Sequence, residues 1–213
     1  MTYIENIFLC LAVPMLLSQL FTPGSTRRFT LFVVLGMAAC LLSAYVSSFF
    51  MGRHQSDVVT TAIEIAPVCE EIMKLLPLLL YFLIFEPDSH SLTPAAIGIA
   101  VGFATFENVC YLTENGAGNF FFLLIRGMSA GALHLVCGIL TGLALAYVFR
   151  RPWLSLTGTI GILGVCMVLH GIYNLLITAD GLWRMLGYFF PSAIIVVLFV
   201  VRLLHRGLHT TFH

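Results

Sequence analysis

Long unbroken runs of apolar residues, set apart by short clusters of charge, proline and glycine, dominate the chain. Seven can be drawn, at about 3–22, 29–50, 58–85, 93–113, 120–149, 155–178 and 185–204. Each matches or exceeds the ~20 residues a helix needs to cross a bilayer's hydrocarbon core. Lipid offers no partner to backbone N–H and C=O groups, so runs of this length predict helices. The residue-by-residue alternation of a membrane barrel is missing. The third and fifth runs are long enough to bend or to hold one further short segment. The pattern therefore predicts an all-α, polytopic transmembrane bundle of about 7–8 helices. No repeat or low-complexity linker divides it, and residues 1–213 read as a single integral-membrane domain.

Composition sharpens this reading. The chain is 60% hydrophobic and 9% charged, where ordinary soluble domains carry about 25% charged residues. A soluble globular protein is excluded, and the spans leave no room for a sizeable soluble domain. Ten Lys and Arg balance ten Asp and Glu, and no basic block exceeds a pair, so nucleic acid is not an expected partner. The six cysteines all fall in apolar runs, which argues against a disulfide framework. The opening residues lack a basic start and a small-residue cleavage site, and Glu5 interrupts them, so the first run reads as a retained span. With seven spans, Arg27, Arg28, Arg150, Arg151, Arg202 and Arg206 fall on one side and only Arg53 and Arg184 on the other. By the positive-inside rule the first side is cytoplasmic, with the N-terminus outside and the C-terminus inside.

Polar residues inside the spans then change the picture. A charged side chain at a helix centre costs about 2.5–3.5 kcal/mol on insertion scales. Here the third span carries Glu64, Glu70, Glu71 and Lys74, the fourth Glu107 and Asn108, the fifth Arg126 and His134, and the sixth His170 and Asn174. Facing lipid separately they would be prohibitive; they must face one another or water. Glu70 and Lys74 stand four apart in the favourable order for a helical pair, while Glu71 points about 100° away toward another neighbour. Pro67 and Pro77 bracket these acids and predict a bend there. His170 and Asn174 share a face, as do Arg126 and His134, and Gly127, Gly131, Gly138 and Gly142 let a helix approach closely. Of the seven histidines, only His134 and His170 lie inside spans. Glu107 and His170 sit about 9 and 12 Å from the outer ends of their helices, so the cluster opens outward.

Neutral imidazoles and a carboxylate can hold zinc with one position left for water, and a further carboxylate can take that water's proton. The set therefore supports metal-assisted hydrolysis. Glu70 or Glu71 is the expected general base, with Glu107, His134 and His170 as metal ligands, zinc by preference, or orienting the water directly. Asn174 is expected to donate to the oxyanion, with Lys74, Asn108 and Arg126 in support. Two other classes would use similar residues: an ion or metal transporter, and a non-catalytic scaffold with a buried polar network. Paired discontinuous repeats, which would favour transport, are missing, and the complete acid and histidine set disfavours an inert scaffold. Glu64 reads as a peripheral charge near a helix start. Cys110, Cys137 and Cys166 share helix faces with Glu107, His134 and His170, but small, weakly polar side chains pack easily between helices, and that is their expected role.

The run Glu70-Glu71-x-x-Lys74, then Phe103-x-x-x-Glu107-Asn108, then Arg126 followed by His134, then His170-x-x-x-Asn174, resembles the PrsW family of intramembrane proteases. That family is related to the prenyl-protein endopeptidases and bacteriocin-processing enzymes. The motifs occur in order on four successive spans and together cover residues 70–174, about half of the chain. The resemblance implies a multi-pass protease of the bacterial plasma membrane, acting on a membrane-anchored protein such as an anti-sigma factor. It also implies that Glu70, Glu71 and His170 are essential, with Glu107 and His134 beside them, and that a divalent metal, zinc by preference, is the cofactor.

Overall fold

The computed structural model describes residues 4–116, 118–149 and 151–210. Among these the chain is helical without strands. The elements are α1 (Ile4–Ser18), α2 (Gly24–His54), α3 (Val58–Thr60), a π-helical stretch (Thr61–Ile65), α4 (Ala66–Phe85), α5 (Ser89–Asn115), α6 (Phe120–Val148), α7 (Pro152–Thr178) and α8 (Leu182–Thr210). With α3, the π stretch and α4 taken together, these are the seven rods that the apolar runs predict. Five of the rods are long and apolar enough to cross a membrane. Of the other two, α1 is short, at 15 residues, and α4 carries Glu70, Glu71 and Lys74. Of the basic residues that set the expected orientation, Arg150 lies outside the described residues, as do the side chains of Arg202 and Arg206.

Helix ends follow local chemistry. Asp57 accepts a hydrogen bond from the Thr60 N–H at 2.8 Å, Asp88 from Ser91 at 3.0 Å and Asn119 from Phe122 at 3.1 Å. Each satisfies a donor that a helix start leaves free. Gln55 and Glu86 close α2 and α4 in the left-handed conformation. Where the sequence predicts a bend, the backbone leaves α-helical register in the π stretch and Pro67 sits in the first turn of α4 behind it, whereas Pro77 is carried inside α4.

α5 forms the centre of the packing, between α2 on one side and α6 on the other. Small residues make this approach close. A Cβ on Gly102 would stand 1.9 Å from the Val33 carbonyl oxygen, and one on Gly36 2.1 Å from that of Ile99. Gly138 and Gly142 of α6 are similarly pressed against Ala96, Ala100 and Thr93 of α5. Lipid tails are as apolar as leucine, so contacts of this kind, and not the hydrophobic effect, must hold such helices together. Phe103 and Phe106 are wholly buried beside Val33 and Met37, and α1 caps them through an edge contact from Phe8 to Phe106. Leu133, Cys137, Cys166 and Tyr173 join α6 to α7.

A Gly102→Leu substitution is expected to force α2 from α5 and destabilise the fold by at least the ~1–3 kcal/mol typical of overpacking. Gly52→Leu, where nothing lies within 4 Å of an added Cβ, should leave the melting temperature in detergent almost unchanged. Equal melting temperatures would show that the α2–α5 seam yields easily.

Candidate active site

Four rods deliver their polar side chains to one place. α4 brings Glu70, Glu71 and Lys74, α5 brings Glu107 and Asn108, α6 brings Arg126 and His134, and α7 brings His170 and Asn174. Glu71, Lys74, His134 and His170 are all buried. The two imidazoles meet edge to face with centroids 5.1 Å apart.

Each imidazole is held by a carboxylate that is itself paired with a cation. Glu71 Oε1 lies 2.9 Å from His170 Nδ1 and 2.6 Å from Lys74 Nζ. Glu107 Oε2 lies 2.6 Å from His134 Nε2, while its Oε1 accepts from Arg126 at 2.9 Å. Lys74 Nζ also reaches His134 Nδ1 at 3.0 Å, joining the two halves. Arg126 donates in addition to Asn108 Oδ1 and lies over the Tyr111 ring, 3.9 Å from its centroid. An ammonium only donates and a carboxylate only accepts. His134 therefore accepts at Nδ1 and gives its Nε2–H to Glu107, while His170 gives its Nδ1–H to Glu71 and turns Nε2 toward Glu70.

Glu70 is the exception in this network. Its Oε2 is buried without a hydrogen bond and lies 3.6 Å from His170 Nε2. The two atoms face each other beyond hydrogen-bond distance, an arrangement that a cation between them would satisfy. Ligand bonds of about 2.0–2.2 Å to a tetrahedral zinc place two ligand atoms roughly 3.4 Å apart, close to the spacing seen. One ligand atom each from Glu70, His134 and His170 all fall within 4.8 Å of one another. The donor set fits a divalent metal, provided His134 releases one of its two present contacts.

The backbone of the π stretch explains how the acids are aimed. The Ala66 N–H bonds to Thr61 O, a step of five residues, so the register leaves Ala62 O looking to residue 67. That residue is proline and has no N–H. Asn174 fills the gap, donating from Nδ2 to Ala62 O at 2.7 Å, and Gly171 gives room for the neighbouring carbonyl of Ile63. A residue three positions before Glu70 thus frees a carbonyl that α7 then grips, which fixes α4 against the helix bearing His170.

Against expectation, Lys74 pairs with Glu71 at i,i+3 and not with Glu70 at i,i+4. The carboxylate that groups with both imidazoles is Glu70, with Glu107 reaching His134 alone. Asn174 shares the His170 face, with one amide hydrogen given to Ala62. Arg126 and Asn108 meet Glu107 as a supporting set, and Glu64 is exposed. Sequence reasoning passed over Tyr111 and the Ser129–Tyr173 hydroxyl pair at 2.9 Å; Tyr111 follows Glu107 by four and Tyr173 follows His170 by three, so the helical face was the signal available.

No curated protein and no solved structure matches this chain. A family model does, that of the PrsW family intramembrane metalloproteases, over residues 25–204. The match takes in every rod that contributes to the site and extends well beyond the motifs themselves. A multi-pass helical bundle, buried acids and imidazoles on four of its rods, and this match lead to one assignment: the chain belongs to the PrsW family of intramembrane metalloproteases and is a hydrolase of the membrane.

Proposed function

We propose that the protein cuts a peptide bond in a membrane-anchored protein, an anti-sigma factor by preference, through water activated by Glu70. The observation that carries this reading is the Glu70 carboxylate, whose buried Oε2 has no hydrogen bond and faces His170 Nε2 at 3.6 Å. The other two acids of the cluster are committed to holding imidazoles, so Glu70 is the one free to take a proton from water and return it to the departing amine. Glu71 orients His170, and Glu107 with Arg126 orients His134. Asn174 serves first by fixing Ala62, and its second amide hydrogen remains for the oxyanion. His134, His170 and one Glu70 oxygen would hold a divalent metal, zinc by preference, which when bound would supply Lewis acidity toward the scissile carbonyl and acidify water; the other Glu70 oxygen is left to take the proton.

Glu107, Arg126 and Asn174 lie toward one end of their helices and Arg27, Arg28 and Arg151 toward the other. With the basic end in the cytoplasm of a bacterial cell, the N-terminus lies outside, the C-terminus inside, and the site opens outward. A first cut on the outer side of an anchored substrate suits that geometry. Residues 1–213 act as one protease domain.

The test uses the full chain in liposomes with a single-span substrate bearing an outer-face cleavage reporter. Cleavage is expected, with about one metal ion per chain by elemental analysis, both removed by a membrane-permeant chelator and restored by zinc. Cleavage that survives removal of the metal would overturn the metal role. Ion flux without cleavage would favour transport over proteolysis.

A further inference from the structure

A second group of potential ligands, separate from the Glu70 cluster, gathers at Glu71. Cys137 and Cys166 face each other across the α6–α7 contact, each 1% exposed. Their thiols make only long reciprocal contacts, Cys137 Sγ to Cys166 O at 3.9 Å and Cys166 Sγ to Cys137 O at 3.7 Å. Both sulfurs and a Glu71 carboxylate oxygen lie within 4.8 Å of one another, and Thr141 Oγ1 is 3.6 Å from Cys166 Sγ. Beside them is a void with room for about one water-sized particle, lined by Glu71, Lys74, Cys137 and Thr141 among apolar side chains. Packing explains one buried cysteine well. It does not explain two thiols and a carboxylate gathered within 4.8 Å of one another beside a space of ionic size.

We propose that Cys137, Cys166 and Glu71 form a second site, for a thiophilic divalent ion of the zinc or cadmium class, and that filling it switches the protease off. Thiolate sulfur selects such ions over magnesium or calcium. On binding, each S–H bond gives its proton to solvent, two sulfur–metal bonds form, no electrons are transferred, and the divalent ion balances the two thiolates while the Lys74 ammonium continues to balance Glu71. Glu71 supplies the third ligand and Thr141 or water the fourth. Glu71 is also the residue that holds His170 Nδ1 and Lys74 Nζ. A metal that draws on its carboxylate loosens His170 at the catalytic end, so the two sites compete through one side chain. The switch rests on the proteolytic reading above; the existence of the metal site does not.

The test is cadmium titration of the full chain in detergent under reducing conditions, read by the ultraviolet thiolate-to-cadmium charge-transfer band. One equivalent should produce the band in the wild type. The band should be lost in Cys137→Ser/Cys166→Ser and kept in Cys10→Ser/Cys110→Ser. Cadmium NMR of the wild type, expected to show a two-sulfur environment, decides the matter if the double variant fails to fold. A wild type without the band, or a band that persists in the folded Cys137→Ser/Cys166→Ser chain, would overturn the site. In the cleavage assay, cadmium at the concentration that fills the site should slow the wild type at least tenfold and leave Cys137→Ser/Cys166→Ser active. Equal inhibition of both, or none of the wild type, would overturn the switch. If even the cadmium-free wild type and the double variant cleave nothing, the switch falls with the proteolytic reading, while the band still decides the site.

Discussion

A Glu70→Gln chain is expected to fold normally and to cleave about 10²- to 10⁴-fold more slowly than the wild type, the range that loss of a positioned acid–base group produces. The substitution keeps size and shape, so α4 should still seat against α7. Since Glu70 Oε2 makes no hydrogen bond, no hydrogen-bond partner is abandoned by the change, and removing a carboxylate from a buried position relieves a desolvation cost. The melting temperature of the metal-free chain should therefore hold or rise, while turnover of the zinc-loaded chain collapses. Single-turnover cleavage in liposomes and thermal melting in detergent, measured on the same preparation, separate the two effects. A Glu70→Gln chain that cleaves at the normal rate would remove Glu70 from the chemistry.

Such a separation matters because the residues of the site differ in how far the sequence alone reveals them. The rods were legible: lipid forces the backbone to satisfy itself within each segment, so apolar run length translates directly into helix. The gathering of Glu70, Glu71, Glu107, His134 and His170 was legible for a related reason, since ionisable groups in spans must find one another. Their pairing was not. Glu70 and Glu71 are both within helical reach of Lys74, at four and three residues, and local spacing prefers neither strongly. What decides is the position of α6 and α7, which bring His134 to Lys74 and His170 to Glu71. The role of Asn174 was hidden more deeply. Its side of α7 follows from a spacing of four after His170, but its partner Ala62 becomes available only because a π turn and Pro67 together strip a carbonyl of its donor. Pro77 shows the converse, since an equally strong signal for a bend lies within an unbroken α4.

The Glu71–Lys74 pair gives the second large effect, and its sign depends on which partner is removed. Lys74→Met would leave Glu71, 4% exposed, as a buried charge balanced only by His170. Breaking a buried pair from one side costs about 3–5 kcal/mol, because the remaining ion keeps its desolvation penalty and loses its attraction. Glu71→Gln alone strands the ammonium in the same way. The double variant Glu71→Gln/Lys74→Met strands neither, and should recover most of the loss, giving a coupling of about 2–3 kcal/mol in a double-mutant cycle. Activity should not recover with it. The carboxylate that holds His170 Nδ1 at 2.9 Å and the ammonium that holds His134 Nδ1 at 3.0 Å would both be gone, leaving two imidazoles unoriented beside an intact Glu70. Denaturation in mixed micelles measures the first quantity and cleavage of the reporter the second. A double variant that regains stability and activity together would make the pair a mere packing element; one that regains stability alone identifies it as the frame on which the histidines are aimed.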